Sequence, residues 1–264
     1  MKFAKWCHLV FRCIGRIVFE YFRWILPYSR HPERYPIELR YARARKLVLR
    51  IVKACRFAPH LEGRIVAEGP RLYVCNHVSA IDPLLLIALS EKPVSFIVKM
   101  EARRIPVVGR LIRAIDGLFL DRNDPFQAVK LFRIATKNML DENLSYAIYP
   151  EGTRNKTPYT GKPYPLHPGS FKIAKMAKCP ITAFAIFGSF HFYDATRGRN
   201  FPLYLKALYH MDCEEVAKTD TTALARLTEK WFADALVDFA REDRRYFAEG
   251  RNRAKAPKWW DNPQ

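Results

Sequence analysis

Six short runs rich in β-forming residues, separated by stretches of helical spacing, restrict this chain more than any other feature. The runs are Arg71 to Cys75, Val94 to Val98, Gly117 to Asp121, Leu144 to Tyr149, Ile181 to Phe187 and Pro202 to Tyr209. Between them, helix-like patterns occupy Pro83 to Ser90, Pro125 to Leu140, Gly169 to Lys178 and Thr222 to Arg241. Parallel strands need a long crossover, usually a helix, so this alternation predicts an α/β fold with a largely parallel sheet flanked by helices. A chain of 264 residues has room for one such core and an appendage.

The appendage is expected at the amino end. Residues 1–60 hold fourteen Lys and Arg against three acids, more than half of the net charge of +19, yet the segment is rich in Phe, Trp, Ile and Leu. A disordered basic arm for nucleic acid would lack those apolar residues. Lys5, His8, Arg12, Arg16, Glu20 and Arg23 recur at steps of three and four and form one stripe, leaving a broad apolar face that includes Val18, Phe22, Trp24 and Ile25. Pro27 is expected to end this helix.

A second amphipathic pattern runs from about Ile37 to Phe57, with Arg43, Lys46, Arg50 and Lys53 on one side and Ala44, Leu47 and Val48 on another. Together the two predict a cationic helical hairpin lying on an anionic membrane surface, the alternative being that both helices cap the core. Charges recur too often for a membrane-spanning helix or a signal peptide. The organisation expected is therefore a membrane-associating hairpin at 1–60, a catalytic domain at 61–247 and a basic, aromatic tail at 248–264. Six scattered cysteines without a CxxC pair read as reduced thiols of a cytosolic protein and suggest no metal site.

In an open α/β sheet, chemistry gathers where strands end and helices begin. Two junctions carry the right side chains. In Cys75-Asn76-His77-Val78-Ser79-Ala80-Ile81-Asp82-Pro83, a turn between His77 and Asp82 would let the carboxylate reach one imidazole nitrogen, fix the tautomer and leave the other nitrogen as a general base. The competing reading makes Asp82 a helix N-cap ahead of Pro83. In Tyr149-Pro150-Glu151-Gly152-Thr153-Arg154-Asn155, Gly152 allows a tight turn, Glu151 is a candidate acceptor for a substrate hydroxyl and Arg154 offers a planar fork for phosphate. Its competing reading is a turn with a surface ion pair. Lys99 and Arg122 close two further strands, and no GxSxG nucleophile motif is present.

The ordered set resembles the phospholipid and glycerol acyltransferase family, in particular its lysophosphatidic acid acyltransferases. Asn76-His77 to Asp82 resembles the family's NHx4D block, and Lys99-Met100-Glu101 with Pro106 and Gly109 its connecting segment. Gly117 to Arg122, Tyr149 to Arg154 and Lys178-Cys179-Pro180-Ile181 resemble its second, third and fourth blocks. Tyr149, Asn155 and Ala102 depart from its commoner residues.

The resemblance implies His77 as base and Asp82 as its orienting partner. It implies Lys99, Arg122, Glu151, Gly152, Thr153 and Arg154 as substrate-binding residues. It further implies acyl transfer from acyl-CoA or acyl-ACP to lysophosphatidate, with no metal or other cofactor. The expected partners are an anionic membrane surface, a lysophospholipid and an acyl carrier protein, not nucleic acid. The expected location is the cytoplasmic face of the inner (cell) membrane. Another lysophospholipid, a lyso-amino-acid lipid or glycerol-3-phosphate as acceptor, and more remotely a non-catalytic cationic binding protein, are the alternatives.

Overall fold

The computed structural model describes residues 14–55, 57–63, 69–193 and 201–249. Seven strands form one sheet in the order β1-β7-β6-β2-β5-β3-β4. They are β1 (Phe57–Glu62), β2 (Leu72–Cys75), β3 (Val94–Lys99), β4 (Leu118–Leu120), β5 (Ser145–Ile148), β6 (Ile181–Phe187) and β7 (Phe201–Met211). Neighbouring strands run parallel except β6 and β7, which are antiparallel. All residues of β2, β5 and β6 are buried, the continuous apolar signature of strands covered on both faces. The mixed α/β architecture expected from the alternation is what forms.

Two elements depart from the pattern. The stretch Phe57-Ala-Pro-His-Leu-Glu gives no β signal in sequence, yet it forms β1 by pairing along β7, from Phe57 with Phe201 to Glu62 with Lys206. The second amino-terminal helix accordingly stops at Cys55, and the expected boundary at residue 60 falls inside a strand. Pro27 does not end the first helix, which continues to Arg30. Tyr21–Ile25 adopt π geometry, with the Leu26 N–H bonded to the Tyr21 carbonyl, and this widened turn lets Pro27 enter at the start of a fresh α segment, where its missing N–H costs little.

The two amino-terminal helices, α1 (residues 14–30) and α2 (Ile37–Cys55), pack against the core, α2 with the apolar side its spacing marked and α1 with Trp24 and Ile25 turned inward. Trp24, Ile25 and Tyr28 are buried together with Ile37, Tyr41, Ala44, Leu47 and Val48 of α2. Glu20, expected on the charged stripe, is buried and accepts a hydrogen bond from Trp24 Nε1 at 2.7 Å. Ile14, Val18, Phe19 and Phe22 remain exposed. Lys2 to Cys13, and the tail from 250 on, lie outside the described residues.

The remaining helices are α3 (Asp82–Leu89), α4 (Val108–Ala114), α5 (Pro125–Asp141), α6 (Lys172–Ala177), α7 (Cys213–Lys218) and α8 (Thr221–Ala248). Asp220 starts α8 by accepting from the N–H groups of Thr222 and Ala223. Strands β2 to β6 all point the same way, so the loops after them open at one end of the sheet.

Candidate active site

Topology sets the position of the site before any side chain is considered. Strand β2 lies between β5, which leads to β3 and β4 on one side, and β6 on the other. Chain direction around the sheet reverses there, and open α/β sheets form their crevices outside the carboxyl ends of such strands. The loops after β2, β5 and β6 meet at that place.

The β2 loop carries His77 and Asp82. The Asp82 side chain turns back against the chain and its Oδ2 accepts from Val78 N at 2.7 Å, from Ser79 N at 2.8 Å and from His77 Nδ1 at 2.9 Å. It therefore does not cap α3, as one reading of the spacing had it. Instead it organises the turn that precedes the helix. Asp82 is fully buried, whereas the His77 side chain retains 19% exposure. With Nδ1 committed to the carboxylate, Nε2 is the imidazole nitrogen left for chemistry, and it has no hydrogen-bond partner among the described residues.

The β5 loop holds the His77 backbone from both sides. His77 N donates to Glu151 Oε1 at 2.7 Å, and Asn155 N donates to His77 O at 2.7 Å. Glu151 Oε2 accepts from Tyr164 N at 3.0 Å, so both carboxyl oxygens are taken by backbone donors. Glu151 thus positions two loops rather than lying open to a substrate hydroxyl. Burial pushes its pKa up to about 7, against the pull of those two N–H groups and of His77. The Tyr149 ring stacks on the imidazole at 4.3 Å between centroids, fixing the ring plane. Burial also holds the Tyr149 hydroxyl well above its ordinary value and raises the Cys75 thiol, so neither is a proton acceptor at neutral pH.

Gly152 has φ +72°, and a Cβ there would stand 2.5 Å from Arg122 Nη1 and 3.0 Å from His167 Nε2. The glycine is required both by the left-handed backbone and by the approach of these two groups. Arg122, from the loop after β4, is thereby brought to the Glu151 loop, as the sequence predicted. Lys99 ends β3 in register with Leu120, at the same end of the sheet. Thr153 and Arg154 are exposed on the loop itself. Lys99 and Thr153 make no side-chain hydrogen bond among the described residues, so the structure places them near the crevice without binding them to the His77 cluster.

Two residues escaped sequence reasoning. His167 reaches the crevice because its N–H bonds the Pro150 carbonyl at 2.9 Å, closing a loop whose span has no periodic signal. Ser189, after β6, donates to Asp82 Oδ1 at 2.5 Å across 107 positions of sequence, a contact that only the sheet order creates. Among the described residues no three His, Cys, Asp or Glu side chains come together in a way that would hold a metal ion.

Residues 56–187, which contain both loops and strands β1 to β6, match the Acyltransferase family model. The chain belongs to the acyltransferase family. The matched stretch of this acyltransferase reaches from β1 to the end of β6 and stops just short of Ser189. A 1-acyl-sn-glycerol-3-phosphate acyltransferase of Cocos nucifera is 31% identical over 129 residues, 49% of this chain and 41% of that protein. An uncharacterized acyltransferase of Schizosaccharomyces pombe is 32% identical over 169 residues, 62% of this chain and 60% of that protein. The chain thus spans less than two thirds of the length of either relative.

The crystal structure of the 1-acyl-sn-glycerophosphate (LPA) acyltransferase PlsC from Thermotoga maritima matches with a TM-score of 0.69 at 24% identity, covering 90% of this chain and 98% of that one. At that identity the likeness concerns the fold.

Proposed function

We propose that this acyltransferase moves a fatty acyl group from a thioester, acyl-CoA or acyl-ACP, to the free hydroxyl of lysophosphatidate, forming phosphatidate at a membrane surface. The observation that carries the reading is the His77 imidazole, partly exposed, tied through Nδ1 to buried Asp82 and stacked on Tyr149, with no partner for Nε2 among the described residues. The acceptor hydroxyl donates its proton to Nε2 as its oxygen attacks the thioester carbonyl. The tetrahedral intermediate collapses with loss of the thiolate, and the imidazolium returns the proton to the leaving sulfur. Asp82 stabilises the cation between these steps. Such base catalysis is worth about 10²–10⁴-fold.

Selection of a phosphate monoester is supported by Arg122 beside Gly152, with Lys99 and Arg154 on neighbouring loops. A membrane surface as the working place is supported by the exposed Ile14, Val18, Phe19 and Phe22 interleaved with Arg16 and Arg23 on α1. No helix among the described residues is long and apolar enough to cross a membrane. The cytoplasmic face is the proposed side, and acyl carrier protein is a further proposed partner. Thioester-dependent acylation of lysophosphatidate, compared with other lysophospholipids and glycerol-3-phosphate, tests the reading. Loss of turnover in Asp82→Asn and His77→Ala supports it, and turnover retained in both variants removes it.

A further inference from the structure

Asp82 is held from two sides, and only one side belongs to its own loop. Its Oδ2 takes the His77, Val78 and Ser79 donors, while Oδ1 accepts the Ser189 hydroxyl at 2.5 Å, the one donor to that oxygen among the described residues. Both side chains are fully buried. The chain delivers Ser189 there by a specific device. Asn76, the residue before His77, exchanges two hydrogen bonds with the Ile186 backbone, Nδ2 to O at 2.9 Å and N to Oδ1 at 2.7 Å, locking the end of β6 against the end of β2. Gly188 then turns with φ +85°, where a Cβ would meet the Pro202 carbonyl oxygen at 2.3 Å, so no other residue fits the turn that aims Ser189 at Asp82.

We infer that Ser189 is a positioning residue of the reaction, the third member of a Ser189, Asp82 and His77 relay in which the hydroxyl fixes the carboxylate so that Oδ2 faces Nδ1. The inference rests on His77 acting as the base. Without Ser189 the carboxylate keeps its three donors on Oδ2 but has none on Oδ1, so part of its buried charge lacks solvation. That loss favours uptake of a proton by the pair: the carboxylate itself becomes more basic, and a more basic carboxylate binds the imidazolium more strongly. The titratable groups facing the carboxylate are His77 from its own loop, Cys75 from β2, and Tyr149 and Glu151 from the end of β5.

The experiment compares wild type, Ser189→Ala and Ser189→Thr in two ways. One is the pH profile of kcat/KM with acyl-CoA and lysophosphatidate. The other is an ¹⁵N NMR titration of the imidazoles, with His77 assigned from His77→Ala. The expected result for Ser189→Ala is a loss of about tenfold or more, carried by kcat with the acceptor KM unchanged. The acid limb and the His77 titration both move to higher pH by about one unit, and Ser189→Thr, which keeps the hydroxyl, moves both back. A Ser189→Ala protein that melts earlier but titrates like wild type overturns the inference and leaves Ser189 as packing. A wild type inactive on lysophosphatidate overturns the proposed acceptor instead, and the NMR titration then decides Ser189 by itself.

Discussion

Among the described residues are two His–Asp pairs of nearly equal length, set in opposite surroundings. His77 meets Asp82 through Nδ1 at 2.9 Å, and His191 meets Asp243 through Nε2 at 3.0 Å and 3.1 Å to the two oxygens. The first pair keeps its imidazole partly open and its carboxylate wrapped by backbone N–H groups. The second joins the segment after β6 to α8 with both side chains fully buried, among the rings of Phe190, Phe201 and Phe247. Burial pushes the Asp243 carboxyl up, against the pull of His191. Residue types and distance are shared, so the difference lies in which nitrogen is tied and whether the other faces an opening. A hydrogen bond of this kind orients the proposed base in one place and braces two elements in the other.

The comparison breaks most readily at the open pair. His77→Ala is expected to reduce kcat by about 10²–10⁴-fold with melting temperature little changed, and Asp82→Asn to follow it in the same assay. For the buried pair the expectation reverses. His191→Leu alone leaves Asp243 buried without its partner and costs about 3–5 kcal/mol in denaturant unfolding, whereas the double change His191→Leu with Asp243→Leu recovers most of that loss. The refolded double variant should keep its turnover per folded molecule, because neither residue touches the crevice.

Arg122 sharpens the contrast between chemistry and binding. Arg122→Ala is expected to raise KM for phosphate-bearing acceptors by about tenfold or more while leaving kcat in place, as loss of a charge-assisted contact requires. His167→Ala should act in the same direction and more weakly. Steady-state kinetics with lysophosphatidate and a phosphate-free acceptor separate the two effects.

The smallest expected effect concerns Glu151, whose folded pKa of about 7 lies above the ordinary glutamate value. A raised carboxyl pKa means the folded chain binds the extra proton, so this contribution to stability is complete below the ordinary value and is lost as pH rises through about 7. Glu151→Gln cannot accept from both the His77 and Tyr164 N–H groups and should unfold more easily. The difference from wild type should shrink between about pH 4.5 and pH 7, read by urea midpoints across that range.

How much of this was legible follows from the range of each interaction. Strands β2, β5 and β6 announce themselves because burial on both faces demands runs of apolar residues. The His77 and Glu151 loops announce themselves because strand ends in a parallel sheet are where polar residues gather. β1 was illegible because nothing in Phe57 to Glu62 is amphipathic, and its conformation is imposed by β7. Pro27 misled because a π turn upstream absorbed its missing donor. Where Trp24 and Ile25 of α1 would go was not legible, because they satisfy an interfacial pattern and a core pattern equally well, and the decision between them rests on α2. Ser189 carries no local mark at all, since its partner lies 107 residues away.

The same edge strand bears on how the protein is divided. Six residue pairs tie β1 to the outer side of β7, and α2 ends at Cys55, immediately before the strand begins. A shortened chain starting at residue 61, chosen to isolate the catalytic part, would strip Phe57 to His60 and leave β7 unpaired on its outer side from Phe201 to Tyr204. Such an unpaired edge is a template for self-association. Insoluble material from a shortened chain would then report a torn sheet and nothing about the chemistry of the crevice. The smallest piece that keeps the sheet closed begins before Phe57.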